Sequence, residues 1–142
     1  MKLTTPEIRK NTVFQAKIDK VWQAVATSEG IESWFMPNDF KQELGFEFTI
    51  QSPFGPTACK VTEIDPPNRL VFTWGEDGWV ITFELTDLGD KTEFTLIHSG
   101  WGEPQEIVPG PGPDLSNSEI RNRMNNGWDS IVYDDLRKVV EV

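Results

Sequence analysis

The chain has 142 residues, and 13 Lys+Arg against 23 Asp+Glu give a formal net charge of −10, which repels phosphate backbones and anionic membrane surfaces. One cysteine, Cys59, and one histidine, His98, exclude an internal disulfide framework and a zinc site of clustered Cys and His ligands. The first ten residues carry Lys2, Arg9 and Lys10 and no apolar run, so neither a secretory signal nor a membrane span is expected, and the expected compartment is the cytoplasm.

Residues 8–16 alternate imperfectly and are rich in β-formers, which predicts a first strand. Val21, Trp22 and Val25 then recur at helical spacing behind Asp19, a candidate N-cap. Past Gly30 the stripe continues through Ile31, Trp34 and Phe35 until Pro37, so two short helices are expected. Phe46, Phe48 and Ile50 alternate with Glu47, Thr49 and Gln51, a half-buried strand that Pro53, Gly55 and Pro56 turn back on itself. Segments 57–64, 70–75, 78–86 and 91–99 read as four more strands, and their short polar turns make neighbours antiparallel. The proline-rich segment 100–117 reads as a loop, because its prolines lack the amide donors that helix and central strand need. Ser116 with Glu119 matches a capping box. Ile120, Met124, Trp128, Ile131, Val132, Leu136, Val139 and Val140 follow as the apolar stripe of a long C-terminal helix.

This order predicts an α+β chain in one domain: a six-stranded curled antiparallel sheet whose apolar face is covered by the last helix. A twisted sheet and a straight helix diverge, and the wedge between them is either filled by large side chains or left as a pocket for an apolar guest. Six tryptophans and nine phenylalanines beside one tyrosine supply that lining. Strand and helix phase directs Trp34, Phe48, Ile50, Trp74, Trp79, Ile81, Phe83, Phe94, Leu96, His98, Met124 and Trp128 toward the wedge. Trp101 is placed at its mouth, and segment 102–113 is read as a lid.

His98 continues the phase of Phe94 and Leu96 and so faces inward. It either bonds to a backbone carbonyl or to the loop at 101–103, or offers a polar contact to a guest. Cys59 has no base near it, since two intervening strands put it about 14 Å from His98, and it reads as a small buried hydrophobe. No pair of carboxylates is forced together by spacing, so neither a catalytic dyad nor a metal site is expected.

Five short motifs occur in a familiar order: Val21-Trp22-Gln23-Ala24, Trp34-Phe35, Asp65-Pro66-Pro67-Asn68-Arg69-Leu70, Thr95-Leu96-Ile97-His98-Ser99-Gly100 and Gly127-Trp128. In these the chain resembles the START-like (SRPBCC) superfamily and, within it, homologues of the activator of the heat-shock-protein-90 ATPase. The resemblance implies the helix-grip fold and a small apolar or amphipathic molecule held between sheet and helix. It also implies activities ranging from lipid transfer to polyketide cyclisation to chaperone stimulation, among which fold does not choose. The leading expectation is a cofactor-free, non-catalytic binding module for a small hydrophobic or amphipathic ligand. Its rivals are a stress-related module with a chaperone partner, and a cyclase- or hydrolase-like enzyme using His98.

Overall fold

The computed structural model describes residues 7–52, 55–74, 79–100, 107–108 and 115–141. Strand β1 (Ile8–Phe14) leads into two short helices, α1 (Ile18–Val25) and α2 (Ser28–Trp34). Strands β2 (Glu47–Ser52), β3 (Gly55–Asp65), β4 (Arg69–Trp74), β5 (Trp79–Asp87) and β6 (Thr92–Ser99) follow. They join β1 in one six-stranded sheet of order β1-β6-β5-β4-β3-β2, with every pairing antiparallel. This is the expected α+β helix-grip arrangement, with the C-terminal helical run lying against the inner face.

Inward residues form rows across the strands. Ile8, His98, Ile81, Phe72 and Val61 make one row, and Lys10, Leu96, Phe83 and Leu70 make the next. The alternation behind them is cleanest on β6, where Thr92, Phe94, Leu96 and His98 are buried and their neighbours are not. Thr92 tolerates burial because its Oγ1 donates to the Ala16 carbonyl at 2.8 Å.

Both sheet edges are covered. Along β2, residues 37–39 add hydrogen bonds from Gln51 N–H to Pro37 O and from Asp39 N–H to Thr49 O. Along β1, the Arg121 and Arg137 guanidiniums donate to the Glu7 and Val13 carbonyls. Such cover blocks strand addition by another chain.

The helices differ from expectation in their starts. Helix α1 begins at Ile18, behind Lys17, which makes no side-chain cap, so Asp19 is not the N-cap but lies in the first turn. Burial of Ile18 draws the chain into the helix early, and Asp19 still favours the positive end of the dipole. Helix α2 includes Gly30 rather than following it. Thr27 caps α2 by accepting from Gly30 N–H at 2.9 Å, and its hydroxyl donates to Gln23 O at 2.7 Å. That knot brings the two helices so close that a Cβ on Gly30 falls 2.1 Å from Gln23 O and 2.8 Å from Ala24 Cα. Gly30→Ala is therefore expected to lower stability by about 2 kcal/mol in a denaturant melt, through backbone displacement rather than lost contacts.

The segment expected to be loop carries a short pairing, β7 (Ile107–Val108) with β8 (Leu115–Ser116). The rest of segment 102–113, read above as a lid, and Trp101 lie outside the described residues. From Asn117 the chain is helical to Val140: α3 (Asn117–Ser130), π-helical turns over Ile131–Leu136, then α4 (Arg137–Val140). Among its described side chains, Trp128, Val132, Leu136 and Val140 are buried, each four positions after the last. An ideal α-helix turns about 100° per residue, so each four-residue step overshoots by about 40° and the stripe would spiral off the sheet. The wider π turns rotate less per residue and return the stripe to the core. No described helix is long and apolar enough to cross a membrane.

Candidate functional site

The wedge between sheet and C-terminal helix is occupied by rings in contact. Phe35, just past α2, stacks on Trp128 with centroids 5.2 Å apart and on Trp34 at 5.5 Å, and tilts against Trp74 at 5.8 Å. Trp34 meets Phe83, which meets Phe94 and Phe72, and Phe72 meets Phe48. Each such pair adds about 0.5–1.5 kcal/mol beyond its buried area. Offset and edge-on geometries dominate, as the ring quadrupoles favour.

Of the residues the sequence aimed at the wedge, Trp34, Phe48, Ile50, Trp74, Trp79, Ile81, Phe83, Phe94, Leu96, His98 and Trp128 are buried, and Met124 packs half-buried against them. Phe48 and Ile50 sit at the β2 end, away from the His98–Trp128 pair, so the set spans the sheet rather than converging on one point. Trp34 spends its indole N–H on the Ala24 carbonyl at 2.6 Å and so fastens α2 to α1. Phe35 was not among the residues aimed at the wedge, although it ends the apolar stripe of Ile31 and Trp34 and stands beside Trp34 in one of the motifs quoted above.

His98 lies in the β6 row beside Ile8 and Ile81, only 1% exposed, with Trp79 edge-on at 5.8 Å. Among the described residues its hydrogen-bond partner is an indole and not a backbone carbonyl, and the 101–103 loop lies outside those residues. The Trp128 indole N–H donates to its Nδ1 at 3.2 Å. Nδ1 thus carries the lone pair, and the neutral ring keeps its proton on Nε2. Burial pushes the imidazole pKa from 6.5 down to about 3, because the cation has lost its water.

Cys59 is buried on β3 with its thiol toward Thr57 O at 3.7 Å, and β4 and β5 separate it from His98. Its sequence reading as a small buried hydrophobe fits this place. Among the described residues no group of three or more His, Cys, Asp or Glu side chains could hold a metal ion.

Two open clefts border the helix. One, of about 340 Å³, lies between α2 and the C-terminal run, lined by Glu32, Ser33, Trp34, Phe35, Asp135, Lys138 and Val139. The other follows Tyr133, Asp134, Arg137, Lys138 and Glu141. The first has Phe35 in its wall, so one ring borders both this cleft and the aromatic interior.

Along β1 the helix is held by polar contacts. Lys10 Nζ meets Asp129 Oδ1 at 2.7 Å, Arg137 donates to Thr12 Oγ1 at 2.7 Å, and Glu141 accepts from Gln15 N–H at 2.8 Å. The Arg137 guanidinium also lies over the Phe14 ring, 5.2 Å from its centroid.

Comparison with solved structures supports the architecture. Protein BH1534 of Bacillus halodurans is 45% identical over 98% of this chain and 99% of its own, with a TM-score of 0.89. The Aha1 dimer of Colwellia psychrerythraea (19% identity, 97% and 98% covered, TM-score 0.77) shares the fold. CalU16 of Micromonospora echinospora (21%, 94% and 75%, TM-score 0.72) shares it too. None of the curated proteins matches the chain. The family described as activator of Hsp90 ATPase homolog 1-like protein matches residues 15–141, from the end of β1 through the last helix, and the chain belongs to that family.

Proposed function

We propose that the protein is a binding module for a small hydrophobic or amphipathic ligand, taken between the sheet and the C-terminal helix. The observation that carries this reading is the aromatic cluster at Phe35, Trp74 and Trp128, set beside a cleft in a fold that grips a helix against a curved sheet. Phe35 is half-buried and makes its ring contacts from a segment past the end of α2, so turning it outward joins the cleft to the space under Trp128. Trp34, Phe48, Ile50, Trp74, Trp79, Ile81, Phe83, Phe94, Leu96, His98, Trp101, Met124 and Trp128 remain the proposed lining, with Phe35 added as the movable wall.

The state of His98 favours binding over turnover. A ring with a pKa of about 3 is a poor base at neutral pH, and its Nδ1 already accepts from Trp128. A thermal-shift screen of fatty acids, flavonoids and polyketides tests the reading. A guest at a hundredfold excess over its dissociation constant stabilises the fold by about 2.7 kcal/mol, a rise of several degrees. Phe35→Ala is expected to enlarge the response while lowering the unliganded midpoint. A midpoint that no class of compound moves, in either protein, contradicts the proposal.

Family membership supports a second reading, a chaperone-interacting module acting through an acidic surface. Native mass spectrometry of protein purified from its own host separates the two. A bound mass of a few hundred daltons supports a guest, and co-purifying chaperone supports a protein partner.

A further inference from the structure

Lys10 occupies an unusual place. It lies in the inward phase of β1, between Ile8 and Thr12, and its register partner across β6 is Leu96. The row it ends continues through Leu96, Phe83 and Leu70, each no more than 1% exposed, while Lys10 itself is 9% exposed. An ammonium carries three N–H donors and is costly to strip of water without partners. Among the described residues its one ion-pair partner is Asp129, at 2.7 Å, and that carboxylate is half in water, with 49% of its side chain exposed. Asp129 follows Trp128, the residue that closes over His98.

We infer that Lys10 is the headgroup site for an anionic amphipathic guest, whose acid group takes the place of Asp129 on the ammonium while its apolar tail lies among the aromatic rings. The inference rests on the binding role proposed above and names the polar end of that ligand. The exchange costs Lys10 little, since one carboxylate-like oxygen replaces another, and Asp129 at the rim returns to solvent. Along the seam between β1 and the helix stand Arg121, Lys10 and Arg137 in succession; Arg137 pairs with Glu141 at 2.8 Å, while Lys10 holds the half-solvated Asp129. Leu96 links the two ends of the site, as it neighbours Lys10 across the ladder and shares the inner face of β6 with His98.

The test compares decanoate with decan-1-ol, two probes of one chain length that differ in charge, by quenching of tryptophan fluorescence in the full chain. The folded protein is expected to bind the acid about tenfold more tightly than the alcohol, the contribution of a charge-assisted hydrogen bond in a sheltered site. Lys10→Met keeps the length and apolar stem of the side chain, and it is expected to remove that preference while leaving the alcohol unchanged. Lys10→Arg retains the preference. Asp129→Asn removes the competing carboxylate and is expected to tighten decanoate binding severalfold. A merely structural ion pair predicts the opposite for Asp129→Asn, since losing either partner then weakens every guest alike. Equal affinity for acid and alcohol in the unaltered protein, or weaker decanoate binding in Asp129→Asn, overturns the headgroup assignment and leaves the binding module standing. Silence from both probes in the unaltered protein overturns both.

Discussion

Replacing Trp128 by alanine is expected to lower the unfolding free energy by about 4 kcal/mol, within the usual range for a buried aromatic. The ring is only 4% exposed, stacks on Phe35 and supplies the N–H that His98 Nδ1 accepts. It is also the first of the four stripe residues that press the helix on the sheet. Its removal thus leaves a cavity and an acceptor without its donor. Trp128→Phe separates the two effects. It preserves a ring for Phe35 and drops only the hydrogen bond, so a loss of about 1–2 kcal/mol is expected. Urea melts of both variants measure the difference. Equal losses in the two would show that the hydrogen bond, and not the stack, dominates the residue's contribution.

The second large effect is a loss of stability in acid that passes through one side chain. His98 has a folded pKa of about 3 against 6.5 when unfolded, so below 6.5 the unfolded chain takes up a proton that the native chain refuses. Stability from this source is complete above pH 6.5 and falls as pH drops toward 3. The slope is about 1.4 kcal/mol per pH unit, which amounts to about 2 kcal/mol at pH 5 and about 4 kcal/mol near pH 3.5. Carboxylates titrate in the lower part of that window, so the clean measurement is the difference between the protein and His98→Asn from pH 7 to 5. The variant starts less stable and is expected to lose none of the 2 kcal/mol. A parallel loss in the variant would assign the acid sensitivity to other groups. Ligand binding to the folded protein is expected to hold steady from pH 7 to 5, because folded His98 stays neutral until about pH 3 and keeps accepting from Trp128.

The two effects converge on one place in the fold. Trp128 and His98 come from elements joined by the 100–117 segment, and their mutual hydrogen bond ties β6 to α3. The Lys10–Asp129 pair lies one residue along the same helix. The ring stack, the neutral imidazole and the ammonium thus lie close together along one stretch of the helix.

Much of this architecture is local and was readable from residue order. The two-residue alternation of β6 is read directly in Phe94, Leu96 and His98, because a pleated strand between core and water allows no other pattern. The neighbours from β2 to β6 follow as well, since turns such as 65–68 are too short for anything but antiparallel pairs, whereas the place of β1 beside β6 does not. The family resemblance rested on the same motifs. Helix starts were less legible. Asp19 has the chemistry of an N-cap, yet burial of Ile18 set the boundary at Lys17, and a side chain's burial is a property of the assembled core.

The partners of each side chain belong to tertiary structure alone. His98 was correctly aimed inward, but its hydrogen bond comes from an indole 30 positions away, and no periodicity encodes that distance. Phe35 ends the apolar stripe of Ile31 and Trp34, but it became the centre of the ring cluster only when α2 met the last helix. Lys10 shares the two-residue phase of Ile8 and Phe14, and the approach of Asp129 across the seam is what makes an inward ammonium tolerable. Local order dictates which way a side chain points, because backbone geometry repeats every two or 3.6 residues. What it touches depends on how elements far apart in sequence are brought together, and that is decided by packing the whole core at once.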